Sequence, residues 1–494
     1  MALRTGIGKA HDPVDTKSAQ AQAFYDQGLA YLHSYVWLEA ARSFNQALTL
    51  EPSLAVAHAM LSIAYTELNA PAAAREALER ASALGATTSA HDRRHIEARA
   101  LQAAAEASRS KDALAGYRKA LDAAVTALPG DEEFWLLRGL AESSDPAERG
   151  QGSVDGSIPY YKKALAAAPD HVAAHHYLTH AYESLARIDE ALKEATTYAT
   201  LASEVPHARH MRGHELRRTG RVDEAIAEFT AADTLERAYL ASEQLPVDTD
   251  WHFQHNLDLL GTSYQYAGQM GKAEPLLRQS FAIQSLLVEQ EINKREWPSF
   301  LLARGRTKEA LDAAGAMASH RFPLVSAAGH IMIGEIRLAM NDPRAAADEA
   351  NQALRLMRGA EGAGLLANSL QALQGEFLLR TGQRDKAWPM LEDVARKLRA
   401  APGPDAWTQA VFTLERIARV ARESGEWNVA DWAAQQMIAH DARYAGGHFA
   451  AGLVAEHRGE RDAAHQAFER AGTLWNKADP GLPELSKIRT VRVR

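Results

Sequence analysis

The sequence predicts an all-α array of stacked helical hairpins. Three observations carry that expectation: a repeated unit of about 34 residues, turn signals at one fixed place within the unit, and no stretch of the alternating pattern a half-buried strand requires. The first unit serves as a template, with Phe24, Gly28 and Tyr31 followed by Ala40, Phe44, Ala47 and Pro52. One period later stand His58, Ser62, Tyr65, Ala74, Leu78 and Ala81. Small residues recur where two helices cross closely, and larger apolar ones where each helix meets the next hairpin. The register returns from Val172 (Leu178, Tyr182, Ala191, Ala195), from Pro206 (Gly213, Ala225, Phe229) and from Gln254 (Gly261, Tyr264, Ala273, Leu277). Weaker units follow at Gly334/Ala346, Gly375/Ala387, Ala418/Ala430 and Gly452/Ala464/Phe468, and degraded ones near Ala113/Tyr117/Ala120, Tyr161/Ala164/Pro169 and Ala310.

This spacing is similar to that of the tetratricopeptide repeat, so the expected architecture is a right-handed superhelical solenoid of about twelve hairpins. The turns agree. LARIDEA (185–191), TGRVDEA (219–225), RGRTKEA (304–310), TGQRDKA (381–387) and RGERDAA (458–464) occupy one position in the unit. Most place Gly just past the first helix, where a left-handed cap is needed, and Asp or Thr is expected to start the second. Residues 1–20 read as an N-terminal extension, 21–400 as the main array and 401–494 as a C-terminal group of repeats with a basic tail. ESSDPAERGQGSVDGS (142–157) reads as a loop inserted within a hairpin, and AAPGPD (400–405) as a joint.

Composition narrows the function classes. The 494 residues are 46% hydrophobic and 24% charged with a net charge of −8, which gives no footprint for nucleic acid. Only the end is basic, through Lys487, Arg489, Arg492 and Arg494, which reads as a solvated tail. Cysteine is absent, so disulfides, thiolate catalysis and Cys-ligated metals are excluded. No run reaches the roughly 18 apolar residues of a membrane helix. The start, MALRTGIGKAHDPVDT, lacks the apolar stretch of a signal peptide. A soluble cytoplasmic protein is expected, or a periplasmic one if a signal was removed. No nucleotide-binding loop, GxSxG, HExxH or EF-hand motif occurs.

Histidine carries the functional signal. Of 20 histidines, seven (His171, His175, His176, His180, His207, His210, His214) fall within 44 residues, where an even spread gives about two. In repeats of this kind the first helix lines the concave groove, mainly through positions 2, 5, 9 and 12. His176 and His180 take positions 5 and 9 of one unit. His207, His210 and His214 take positions 2, 5 and 9 of the next, and His255 position 2 of the one after. Spacings of three and four residues share a helical face, and packed helices lie roughly 8–10 Å apart. Imidazoles from two first helices can therefore meet, with His171 at a helix start and Glu183 as a carboxylate. Such a nitrogen-rich set suits zinc, copper or iron, and not magnesium or calcium. Tyr177, Tyr182 and Arg217 lie nearby, while His58, His175, His330 and His448 fall at a position that packs between helices.

Two segments also resemble a bacterial, often exported subgroup of tetratricopeptide-repeat proteins. The first is HDPVDTKSAQAQAFYDQGLAYL followed by EAARSFNQALTLEP, and the second is HVAAHHYLTHAYE followed by HARHMRGHELRRTGR. The subgroup's patterns are similar to H-x-x-x-x-H-Y-x-x-H-x-x-[ED] and H-x-x-H-M-x-x-H, and His171, His176, His180, Glu183, His207, His210 and His214 fill them. A His near Trp37 and an aromatic–Trp pair near His58, common in the subgroup, are missing. The resemblance covers about half the chain and implies a site without naming its chemistry. Three readings stand: a binding or scaffold solenoid with a histidine-lined metal site, its partner a protein, peptide or small molecule in the groove; a metal-dependent hydrolase or oxidoreductase using that site; and a metal-free peptide-binding scaffold.

Overall fold

The computed structural model describes residues 1–142, 155–285, 287–401, 403 and 405–492. The expected inserted loop therefore lies almost wholly outside the described residues, as do Pro402 and Pro404 of the expected joint and Arg494 of the basic tail. Among the described residues every regular element is helical, apart from one isolated β-bridge between Lys9 and His171.

The chain divides into two compact units, Met1–Thr219 and Gly220–Arg494. The first holds α1 (Ala19–His33) with α2 (Trp37–Leu50), α3 (Ala55–Glu67) with α4 (Pro71–Gly85), and α5 (Ala90–Ser108) with α6 (Lys111–Ala127). It continues with α7 (Glu132–Leu140) and α8 (Ile158–Ala167), α9 (Val172–Ser184) and α10 (Ile188–Leu201), and α11 (Pro206–Arg218). The second unit opens with α12 (Val222–Ser242), then α13 (Trp251–Tyr266) with α14 (Met270–Ala282), and the short α15 (Val288–Asn293). There follow α16 (Glu296–Ala303) with α17 (Thr307–Ala318), α18 (Pro323–Ala339) with α19 (Pro343–Met357), and α20 (Gly364–Arg380) with α21 (Arg384–Ala400). The last are α22 (Ala406–Glu423) with α23 (Trp427–His440), α24 (Ala445–Arg458) with α25 (Arg461–Leu474), and α26 (Pro483–Arg492). Taken in sequence order within each unit, and leaving out α11, α12, α15 and α26, these form eleven pairs among the described residues.

One contact recurs and explains the small-residue pattern. A Cβ on Gly28 would stand 2.4 Å from the Phe44 ring, on Gly261 2.8 Å from Leu277, on Gly375 2.5 Å from Leu391, and on Gly452 2.7 Å from the Phe468 ring. In each hairpin the first helix drops its side chain so that the second can seat a large apolar residue sixteen positions later. Gly139 does the same against Tyr161, at 2.3 Å, across the inserted segment. Phe44, Leu277, Leu391, Phe468 and Tyr161 are all buried, each worth roughly 1.5–3 kcal/mol of apolar burial.

The turns follow the expected chemistry with one difference. Gly220, Gly305, Gly382 and Gly459 take φ of 73, 73, 71 and 76°, and Ala186 takes 58°. The second helices, however, are not capped by Asp or Thr. Their N-caps are Arg187, Arg221, Arg306, Gln383 and Glu460, none with a capping side chain. Asp189, Asp223, Asp385 and Asp462 instead stand in the first turn, where their charge meets the positive end of the helix dipole.

Within the first unit the N-terminal extension is part of the packing. Ile7, Ala10 and Asp12 are buried. The Glu204 amide donates to Gly6 O at 2.8 Å and the Val172 amide to Lys9 O at 3.1 Å. The extension thus runs across the start of α9 and the α10–α11 turn. Helix α1 also packs on α9. This layer lies over α9, the helix that carries His176 and His180.

Candidate metal centre

Helix α9 carries twelve buried residues in its thirteen, so its polar side chains must be satisfied internally. His176 and His180 stand one turn apart on it, and α11 sets His207 opposite them. The Nε2 atoms converge: His180 Nε2 lies 3.0 Å and His207 Nε2 2.9 Å from His176 Nε2. All three rings are buried, at 0, 8 and 4% exposure for His176, His180 and His207. His176 Nδ1 lies 2.6 Å from the His33 carbonyl. It must be the protonated nitrogen there, which leaves Nε2 with its lone pair facing the other two rings. Burial pushes the pKa of His180 down to about 4, against the pull of Glu183 and with repulsion from His214. At neutral pH its ring is therefore an uncharged donor set for coordination.

Aromatic rings close the pocket. Tyr35, in the α1–α2 turn at φ 60°, brings its ring centroid 4.6 Å from that of His176, 5.3 Å from His207 and 6.2 Å from His180. Tyr198 stacks on His176 from the other side at 4.9 Å. The expected open groove is therefore roofed at this point by the turn that follows α1.

The remaining expected residues separate into other groups. His210 and His214 pair along α11, Nε2 to Nε2, at 2.6 Å. Glu183 does not join the three-nitrogen cluster. Its Oε1 stands 3.7 Å from His214 Nδ1 and 3.4 Å from Arg218 Nη1. His171 also lies apart, with Nε2 3.4 Å from Glu133 Oε1. Tyr177 packs its ring 5.2 Å from that of His176 and gives its hydroxyl to His33 Nδ1 at 2.8 Å. His33 Nε2 in turn contacts Glu133 Oε2 at 2.9 Å. Burial alone would raise the Glu133 pKa, but the His33 and His171 imidazoles outweigh it and hold the carboxyl well below its usual range. Arg217 is fully buried and does not line a groove. His255 belongs to the second unit, half-buried on α13 with its ring stacked 6.4 Å from Trp251.

Three of the four histidines read as structural share one contact. His175 Nε2 meets Pro169 O at 3.1 Å and His448 Nε2 meets Ala442 O at 2.9 Å, each six residues back, and His58 bonds to Pro52 likewise. His175 and His330 also pair with Glu194 and Glu349, both at 2.6 Å. The glutamate contacts tie the first helix of a hairpin to its second, and the carbonyl contacts hold the turn that leads into it.

Sequence reasoning missed a second convergence. Asp12, His91, His95 and Asp131 bring one donor atom each within 4.8 Å of one another. The signal available was the i, i+4 pair in HDRRH (91–95), together with the aspartate of HDP at the N-terminus.

The fold is that of an all-α solenoid of tetratricopeptide-type hairpins. A family model described as "Tetratricopeptide repeat" matches residues 206–239, which run from α11 into α12. No curated protein matches the chain. Similar solved structures include the Cut9–Hcn1 hetero-tetramer of the APC/C, at 12% identity and TM-score 0.34, covering 95% of this chain and 76% of that one. A tetratricopeptide repeat protein from Parabacteroides merdae is 15% identical at TM-score 0.40, covering 56% of this chain and 98% of that one. Yeast Tom70 is 13% identical at TM-score 0.30, with coverage of 97% and 90%. No helix among the described residues is long and apolar enough to cross a membrane.

Proposed function

We propose that this chain is a helical-repeat binding scaffold whose first unit holds a transition-metal ion between α9 and α11, with His176, His180 and His207 as its ligands. The observation that carries the reading is the meeting of three buried Nε2 atoms at 2.9 and 3.0 Å. A single lone pair on His176 Nε2 cannot serve two N–H donors in good geometry, whereas one ion accepts all three nitrogens. The anchoring of His176 Nδ1 on a backbone carbonyl is the outer-shell arrangement that fixes the tautomer of a metal-binding imidazole. A set of three imidazoles suits zinc or copper. The helical hairpins supply the binding surface for a protein or peptide partner, as helical-repeat arrays do.

A second reading, a metal-dependent enzyme, is favoured by one feature. Three protein nitrogens leave a coordination position for water or substrate, the pattern of catalytic rather than structural zinc. The roof formed by Tyr35 favours the scaffold.

Elemental analysis of tag-free protein loaded with zinc or copper and then dialysed tests the proposal. One equivalent of bound metal that the unaltered chain holds and that both His176→Ala and His207→Ala lack is the expected result. Protein that takes up no zinc, copper or iron, or whose metal content is unchanged in both variants, refutes it.

A further inference from the structure

The cluster at Asp12, His91, His95 and Asp131 lies wholly within the first unit and shares no residue with the three-histidine pocket. It gathers three segments remote in sequence. Asp12 belongs to the N-terminal extension, His91 and His95 to the first turns of α5, and Asp131 is the N-cap of α7, its Oδ1 accepting from the Phe134 amide at 3.1 Å.

The four donors face one point. His91 Nε2 lies 3.0 Å from Asp12 Oδ1 and 3.0 Å from Asp131 Oδ2. His95 Nε2 lies 3.1 Å from the same Asp131 oxygen and 3.8 Å from Asp12 Oδ2. Metal–donor bonds of about 2.0–2.2 Å at tetrahedral angles place neighbouring donors roughly 3.4 Å apart, the middle of this range. His91 Nε2 is buried and within reach of two carboxylates, yet makes no hydrogen bond of acceptable direction.

Each ligand is held by a neighbour. His91 Nδ1 contacts Asp92 Oδ1 at 2.9 Å, and Asp92 is itself fixed by the Asp15 amide at 3.0 Å and the Ser89 hydroxyl at 3.1 Å. That is the carboxylate–histidine relay which orients a metal-binding ring through its far nitrogen. His95 stacks face to face on Phe134, with centroids 3.9 Å apart at 11°. Asp12 accepts from the Tyr25 hydroxyl at 3.1 Å. Asp12, Asp92 and His95 are 2, 0 and 1% exposed.

We propose that Asp12, His91, His95 and Asp131 form a second metal site, for a divalent first-row transition ion, that clamps the N-terminal extension to the starts of α5 and α7. Two imidazoles with two carboxylates suit Mn²⁺, Fe²⁺ or Zn²⁺, a harder set than three imidazoles. The ion would neutralise Asp12 and Asp131 and tie together segments separated by more than a hundred residues of chain.

The test uses the tag-free full chain, stripped with chelator, loaded with Zn²⁺ and dialysed, then analysed for metal content. His95→Gln and Asp131→Asn, the latter keeping the α7 cap, are each expected to lose one equivalent that the unaltered chain holds. His176→Ala retains that equivalent. Zinc content equal to that of the unaltered chain in both variants overturns the proposal. A second measurement covers the case in which those variants fail to fold. His176→Ala keeps all four ligands, and titration with Co²⁺ is expected to give d–d absorption at one equivalent. Absence of such bands overturns the proposal as well.

Discussion

The hydroxyl of Tyr177 offers a sharp test of how the interior beside the three-histidine pocket is held. Tyr177→Phe deletes one oxygen and leaves the ring's shape intact, so no cavity forms. Tyr177 and His33 are 3 and 5% exposed, and their bond is 2.8 Å long. Its loss removes a net contribution of about 1 kcal/mol and strands a buried imidazole nitrogen, for a total of roughly 1–3 kcal/mol. His33 Nε2 is already committed to Glu133, so the ring cannot turn to find another partner without breaking that contact. For a unit of the length of Met1–Thr219, the loss corresponds to a melting temperature lowered by about 2–12 °C. Calorimetry reads the shift, and elemental analysis is run beside it. The pocket nitrogens of His176, His180 and His207 do not touch the Tyr177 hydroxyl, so metal content is expected to hold. An unchanged melting temperature would refute the hydrogen-bond argument. Metal lost at unchanged stability would show that Tyr177 belongs to the site.

Two glycines on adjacent helices of the second unit are expected to respond with opposite signs. A Cβ on Gly329 of α18 would stand 2.2 Å from the backbone nitrogen of Ala318, and backbone cannot swing aside. Gly329→Ala should therefore cost about 1–3 kcal/mol or more despite the better helix former. Gly315 of α17 has open space around its Cβ position, and Gly315→Ala should add up to about 1 kcal/mol; denaturant midpoints falling or rising together would contradict this packing. Glu335 shares Arg416 with Glu376, at 2.8 and 2.9 Å, and burial, together with Glu376, raises its pKa to about 7 against the pull of Arg416. The folded state thus favours the protonated acid. The penalty for ionising it is full above pH 7, shrinks as pH falls through 7, and is gone below the unfolded value near 4.5. Glu335→Gln should raise stability at pH 8 by an amount of order 1–3 kcal/mol and leave it unchanged at pH 4. A gain independent of pH would rule out that titration.

Much of this protein was legible in the chain itself. The helical hairpins follow from local rules: Gly28, Gly261, Gly375 and Gly452 each make room for a large residue sixteen positions on, and Gly220, Gly305, Gly382 and Gly459 end helices in the left-handed conformation. Both are short-range contacts, and a repeat writes them many times over. The pairing of His176 and His180 with His207 was also readable, because helical spacing fixes a face and the repeat places neighbouring first helices side by side. Sequence spacing could not decide which faces stay open. The extension and the turn at Tyr35 fold back over α9, so a presumed groove becomes a closed pocket, and Tyr177, Glu183 and His171 are drawn to partners of their own. Nor could it bring Asp12 to His91, His95 and Asp131. Residues that far apart meet only when packing closes the long loops between them, and no periodicity along the chain records that closure.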